Sequence, residues 1–268
     1  MKRNILIIST ICSVLNLMSC DFSTNNDLVA KQSEYVVSEE QAENTQVKET
    51  IKKKIFSDFV HEIGPRFNAF KKSDLENARS FSDFIGAAHA LRIVSYKSLS
   101  VIMLEGEEQT DRVEISNTGD LTTAQIKLLQ SANYSANILI KAEYKEKNVE
   151  TGQVEDSHWT PYLTVVPEKQ AAFFNGMEVL KDYLMNSSKE TRLHVDSKKL
   201  QPAMLFFTVT KSGAIEKANL DRSSGYPIVD EKMIELISKT TGAWEPAENS
   251  KGEKVDQELV VSFGLPGC

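Results

Sequence analysis

AMLFFTVTKSGAIEKANLDRSSGYPIVDEKMIELISKTTGAWEPAENSKGEKVDQELVVSF, residues 203–263, is the stretch that decides the fold. Its first part alternates. Leu205, Phe207 and Val209 fall on one face and Met204, Phe206, Thr208 and Thr210 on the other, the period of a half-buried strand. Ser212 and Gly213 then turn the chain, glycine supplying the positive φ that a hairpin turn asks for. Residues 215–220 make a second short strand. After Ser223-Ser224-Gly225-Tyr226-Pro227 a helix is predicted, with Val229, Met233, Leu236 and Ile237 on one stripe. Asp230 and Glu231 lie in its first turn, where the helix dipole favours negative charge, and Gly242 ends it. Beyond Trp244 and a polar turn at 249–252, Val255, Leu259, Val261 and Phe263 recur at period two. A small sheet with one helix across it follows, an α+β arrangement.

The same residues resemble the TonB C-terminal domain family. The resemblance rests on the strand and Gly turn, Ser223-Ser224-Gly225, the helix start, Trp244-Glu245-Pro246-Ala247 and the Val-rich last strand. Upstream, FFNGMEVLKDYL (residues 173–184) is similar to the helix preceding this domain in Bacteroidetes-type members, so the likeness spans residues 168–268. Where the family has a Tyr-Pro pair before the first strand, this chain has Gln201-Pro202-Ala203, so contacts made by that Tyr do not carry over. The resemblance implies a β-β-α-β domain whose last strand receives an extended segment of an outer-membrane transporter. Those receiving residues are Gln257, Glu258, Leu259, Val260, Val261, Ser262 and Phe263. An edge strand has unpaired N–H and C=O groups that such a segment completes, and Glu258, Val260 and Ser262 would face outward to set specificity.

The start of the chain reads as a lipoprotein signal. Lys2 and Arg3 precede a short apolar stretch at 5–17, and Leu17-Met18-Ser19-Cys20 resembles a lipobox, implying cleavage after residue 19 and acylation of Cys20. The apolar stretch is too short for a spanning helix. Several acyl chains, at about 0.8 kcal/mol per buried CH₂, anchor a protein stably where one is marginal. Residues 20–50, polar and without period, read as a disordered linker reaching roughly 30 Å. Asp21 beside the acylated Cys leaves both membranes open as sites of residence. A TonB protein couples through a spanning helix and a long Pro-rich segment, and neither pattern is present here.

Thirty-one basic against 38 acidic residues give a net charge of −7, and loss of Lys2 and Arg3 takes the mature chain to about −9. Nucleic acid is excluded as a partner, since it requires clustered cations; Lys52-Lys53-Lys54 is a solvated run. Of the three cysteines, Cys12 leaves with the signal, Cys20 is acylated and Cys268 stays as a lone thiol, so no disulfide is expected.

Residues 51–167 read as a separate, mostly β domain with short helices. Ser73-Asp74-Leu75-Glu76 and Thr122-Thr123-Ala124-Gln125 both fit the capping box. Strands are expected at 98–104, 112–116, 138–144 and 160–166, with 148–152 as a turn. Residues 95–166 are similar to the C-terminal β-domain of GldM-type proteins of gliding motility and type IX secretion, through the Gly119 to Gln125 helix start and the Ile138-Leu139-Ile140 strand. That resemblance implies a periplasmic interaction module.

Nothing in the pattern speaks for catalysis. His61, His89, His158 and His194 have no metal-ligand spacing, Asp230-Glu231 and Glu107-Glu108 are adjacent carboxylates that point apart, and Gly64-Pro65-Arg66 is a turn. The expectation is a protein without catalytic residues, metal or cofactor. It would be lipid-anchored and periplasm-facing, binding an outer-membrane transporter or another envelope protein by edge-strand addition, with homo-oligomers open. The alternative is a structural envelope lipoprotein, or a secretion or gliding accessory acting through the middle domain.

Overall fold

The computed structural model describes residues 59–265, all within one compact unit, Lys48–Cys268. The expected signal at 1–19, Cys20, the expected linker at 20–50 and Cys268 lie outside the described residues. The fold is α+β, strand-rich with short helices.

In chain order, β1 (Val60–Gly64) and β2 (Asn68–Lys71) lead into α1 (Lys72–Asn77), a 3-10 turn at Phe81–Phe84 and α2 (Ala87–Ala90). Then come β3 (Ile93–Glu105), β4 (Glu108–Ser116), α3 (Thr123–Gln130), β5 (Asn137–Lys147), β6 (Val154–Trp159) and β7 (Tyr162–Val166). The second half holds β8 (Ala172–Phe173), α4 (Met177–Ser187), α5 (Lys189–Leu193), β9 (Pro202–Val209), β10 (Ile215–Arg222) and α6 (Pro227–Ser238). Short strands β11 (Trp244–Glu245), β12 (Ala247–Glu248) and β13 (Lys254–Val255) precede the last, β14 (Gln257–Gly264).

Two sheets result. One has the order β2-β7-β5-β3-β4 with β6 on β5, the other β1-β14-β9-β10. Each has its own core, because each sheet buries one face under helices. Leu99, Val101, Ile138, Ile140, Ala142 and Tyr144 form the first with Leu129 of α3, Leu75 of α1 and Phe81. Leu205, Phe207, Val209, Leu259, Val261 and Phe263 form the second with Val229, Met233 and Ile237 of α6 and Leu180 and Leu184 of α4. The inward face expected for 203–211 is the buried one, Leu205, Phe207 and Val209 being sealed from solvent while Met204, Phe206 and Thr208 are half-buried. Trp244, also buried, donates its indole N–H to Thr240 Oγ1 at 3.0 Å.

Only one of the two expected capping boxes forms. Gln125 N–H donates to Thr122 Oγ1 (3.2 Å) and Thr122 N–H to Gln125 Oε1 (2.9 Å), closing the box that opens α3. Ser73, by contrast, lies inside α1, whose N-cap is Lys71. Its N–H donates to Glu168 Oε1 at 3.0 Å, so a distant carboxylate does what the Glu76 carboxylate was expected to do. A box at Ser80 and Asp83, not foreseen, opens the 3-10 turn instead.

The expected boundary at 167 falls between β7 and β8, and the two sheets part there except for β1, which crosses back to join the C-terminal sheet.

Candidate functional site

The C-terminal sheet places residues 257–263 in its interior. β14 pairs antiparallel with β9 along its whole length, from Gln257↔Val209 to Gly264↔Pro202. On its other side β1 pairs with it through Gly64↔Val260, Ile63↔Val261, Glu62↔Ser262 and Val60↔Phe263. Below β1 other parts of the chain cover the strand. Glu258 N–H donates to Ser135 Oγ (2.9 Å), and the Gln257 side-chain oxygen accepts from Ala171 N–H (2.8 Å).

The expectation that Gln257 to Phe263 form an open edge is therefore corrected. The main-chain groups that were to receive a partner are already bonded within the chain. Of the outward-facing trio, Val260 is buried and Glu258 and Ser262 are half-buried. Leu259, Val261 and Phe263 do face the core.

The new edges of this sheet are closed too. On β1, Val60 N–H donates to Met185 Sδ (3.3 Å) and Lys181 Nζ donates to the His61 carbonyl (3.4 Å), both from α4. On β10 the ladder is broken twice, with Lys217 at a φ of 53°, and Glu216, Lys217, Asp221 and Arg222 line it. Bulges and charge are how folded proteins blunt an edge.

The six-stranded sheet is different. β6 and β7 share one unbroken register on β5, from Lys147↔Val154 through Ala142↔Trp159 and Leu139↔Tyr162 to Asn137↔Thr164. Across the gap between them, Ile140 N–H donates to the Pro161 carbonyl at 3.1 Å. Antiparallel bonding alternates, so Trp159, Ser157 and Glu155 turn their main-chain groups toward β5, and Thr160, His158, Asp156 and Val154 turn theirs away. β2 covers only Leu163 to Val166. Among the described residues nothing pairs with 154–161 on the outer side, and most of these residues are exposed. β4, the far edge, is less open. Its pairing slips between Ile102 and Leu104, and Gln125 Nε2 donates to the Glu114 carbonyl.

A groove of about 520 Å³ lies where the open stretch meets β2, walled by Pro65, Phe67, Asn68, Thr160, Pro161 and Tyr162. Phe67 and Tyr162 stack at 5.1 Å between ring centroids. On the core side of the same edge, Trp159 is 40 % exposed and packs edge-on against His89. His89 Nε2 sits 2.8 Å from the Tyr144 hydroxyl and 3.2 Å from Glu146, which also pairs with Arg92. Burial, with Glu146 nearby, pushes the Tyr144 hydroxyl up and keeps it a neutral hydrogen-bonding group. Beside the edge Asp156 pairs with Lys97 at 2.9 Å, and Glu155 accepts a hydrogen bond from the neutral Asn148 amide.

Between the sheets lies an ion cluster. Arg66, its side chain 5 % exposed, makes a bidentate pair with Asp221 (2.9 and 3.0 Å) and lies 3.8 Å from Glu107, which Arg222 holds at 2.8 Å. The Arg66 hydrogen bond holds the Asp221 carboxyl below the ordinary Asp range. Burial pushes the Glu258 carboxyl up, only partly offset by Arg66. Sequence reading placed Arg66 in a turn; its role comes from residues far away in the chain.

Among the described residues no group of three or more His, Cys, Asp or Glu is placed to hold a metal ion, and no helix is long and apolar enough to cross a membrane. His61 bonds the Gly264 carbonyl (3.0 Å), while His158 lies exposed on the open strand and His194 ends α5. Comparison of the chain with protein-family models, curated proteins and solved structures finds no match.

Proposed function

We propose that the chain is a lipid-anchored, periplasm-facing envelope protein that works by holding other envelope proteins, without catalytic chemistry of its own. The anchor rests on Leu17-Met18-Ser19-Cys20 after a short apolar stretch. The envelope setting rests on the resemblance of residues 168–268 to TonB C-terminal domains and of 95–166 to GldM-type β-domains, and both halves would then be adaptor modules.

One observation favours the middle region as the half that meets the partner: β14 is bonded on both sides. A transporter segment cannot add to residues 257–263 without first stripping β1 away. The C-terminal sheet is thus a structural support, and partners meet the six-stranded sheet, as in a structural lipoprotein or a secretion or gliding accessory.

Labelling cells with a fatty-acid analogue tests the anchor. Wild-type chain should carry the label and sediment with membranes, and Cys20→Ser should lose the label and appear in the soluble periplasmic fraction. An unlabelled wild-type chain, or membrane residence unaffected by Cys20→Ser, would remove the reading.

A further inference from the structure

We infer that the outer side of residues 154–161 is a strand-addition site for an extended segment of a partner polypeptide, with an apolar side chain of that segment seated in the Phe67–Tyr162 groove. The inference rests on the proposed adaptor role and names the class of partner.

Three features select the occupant. First, the main-chain groups of Val154, Asp156, His158 and Thr160 face outward at regular spacing on a stretch whose register with β5 has no bulge. Unbonded backbone at strand spacing is complementary to another extended backbone, the recognition mode in which main-chain bonds supply affinity and alternate side chains supply choice. Second, the row is already half filled. β2 occupies it alongside Leu163 to Val166, in parallel, and an incoming strand prolongs that row up to Phe67. Third, the edge carries apolar surface between its charges. Asp156 is paired with Lys97 and Lys145 and Glu143 with Lys141, while Glu155 keeps its charge under a hydrogen bond from the neutral Asn148 amide. The apolar surface is Trp159 on one face and Phe67, Tyr162 and Pro65 at the groove on the other, beside Glu62 and Arg66 of the same lining. A side chain entering the groove would pack on the tilted Phe67–Tyr162 pair.

Thr160 and Pro161 limit the site at its groove end. Pro161 has no N–H, and its carbonyl is given to Ile140, so the added strand's last bonds there fall on Thr160.

The full chain is tested with a phage-displayed library of ten-residue peptides and with His158→Pro. His158 N–H points away from β5, so proline removes one outward donor and leaves the β5 ladder intact, and Ser157→Pro serves as the variant that breaks the ladder. Selected peptides should alternate with an apolar residue at the groove end, should slow amide exchange at Asp156, His158 and Thr160 and leave 215–222 unchanged, and should lose affinity about tenfold or more with His158→Pro. Peptides bound equally well by His158→Pro, or no enrichment over an unrelated protein, would overturn the site. So would slow exchange of those three amides in the free chain, whether constant or concentration-dependent, since the edge would then be covered by residues 1–58 or by a second copy. None of these results bears on the Cys20 label, so failure here leaves the anchored-adaptor reading standing.

Discussion

Glu258 and Asp221 face the same guanidinium, yet their carboxyls shift in opposite directions, because at Glu258 burial outweighs it. Asp221 receives both Arg66 N–H groups and is held in its charged form. Among the described residues the Glu258 carboxylate has no ion pair or hydrogen bond, and burial, with Asp221 nearby, favours its protonated form. Asp221, with its lowered folded value, adds stability above the ordinary Asp range that is lost as pH falls through that lowered value. Glu258, with its raised value, subtracts stability above it, and the penalty disappears as pH falls toward the ordinary Glu range. The protein should therefore gain stability between neutral and mildly acid pH, then lose it on further acidification. Glu258→Gln should raise the urea midpoint near pH 7 and flatten the first limb while leaving the second unchanged. A variant profile parallel to the wild type at every pH would remove Glu258 from this role. Lys217 and Arg222 of β10 and Glu107 of the β3–β4 turn are the other charged groups of the cluster.

At the scale of the element, β1 settles what β14 can do. It is five residues long, and its hold on the sheet does not come from length. Phe59 and Val60 are fully buried, Phe59 packing 5.7 Å from Phe263 and lying under the Arg192 guanidinium. Two such side chains contribute roughly 1.5–3 kcal/mol each, which a displacing peptide would have to replace before gaining anything. Val260→Pro, harmless on an edge whose N–H faces solvent, should here remove a ladder bond beside β1, leave its acceptor unsatisfied and destabilise the protein by about 1–3 kcal/mol, read as a fall in the urea midpoint. The sequence announces β9 and β14 through clean alternation at Leu205, Phe207, Val209, Leu259, Val261 and Phe263. It announces β5 and the Thr122 cap as well. β1 is not legible, because Val60, Ile63 and a Gly-Pro turn give no sustained period, and its partner lies at the far end of the chain. β6 is missed for a related reason: with Glu155, Asp156 and His158 in it, a solvated strand looks like a polar loop. Edges are defined by neighbours, so a strand with the right pattern can be assigned while its exposure is misjudged.

For the whole molecule, the two cores are tied by more than the linker at Val166 to Ala172. Arg66 spans to Asp221, Ser135 holds Glu258, Glu168 holds Ser73, and Lys169 pairs with Glu248. The two tryptophans fall one in each half, Trp244 in the second core and Trp159 beside the first. Single-tryptophan variants made by Trp159→Phe and Trp244→Phe should report urea transitions with coincident midpoints, since the halves unfold together. Midpoints more than about 0.5 M apart would show the junction to be weak.

The pairing of β1 with β14 also dictates an order of events. His61 and Gly264, bonded to one another, are 203 residues apart. Contacts this remote slow folding, because the loop must close before they reward it. A ribosome has to deliver residue 263 before Phe59 can meet Phe263, so the C-terminal sheet stays unfinished while everything between the two is being made.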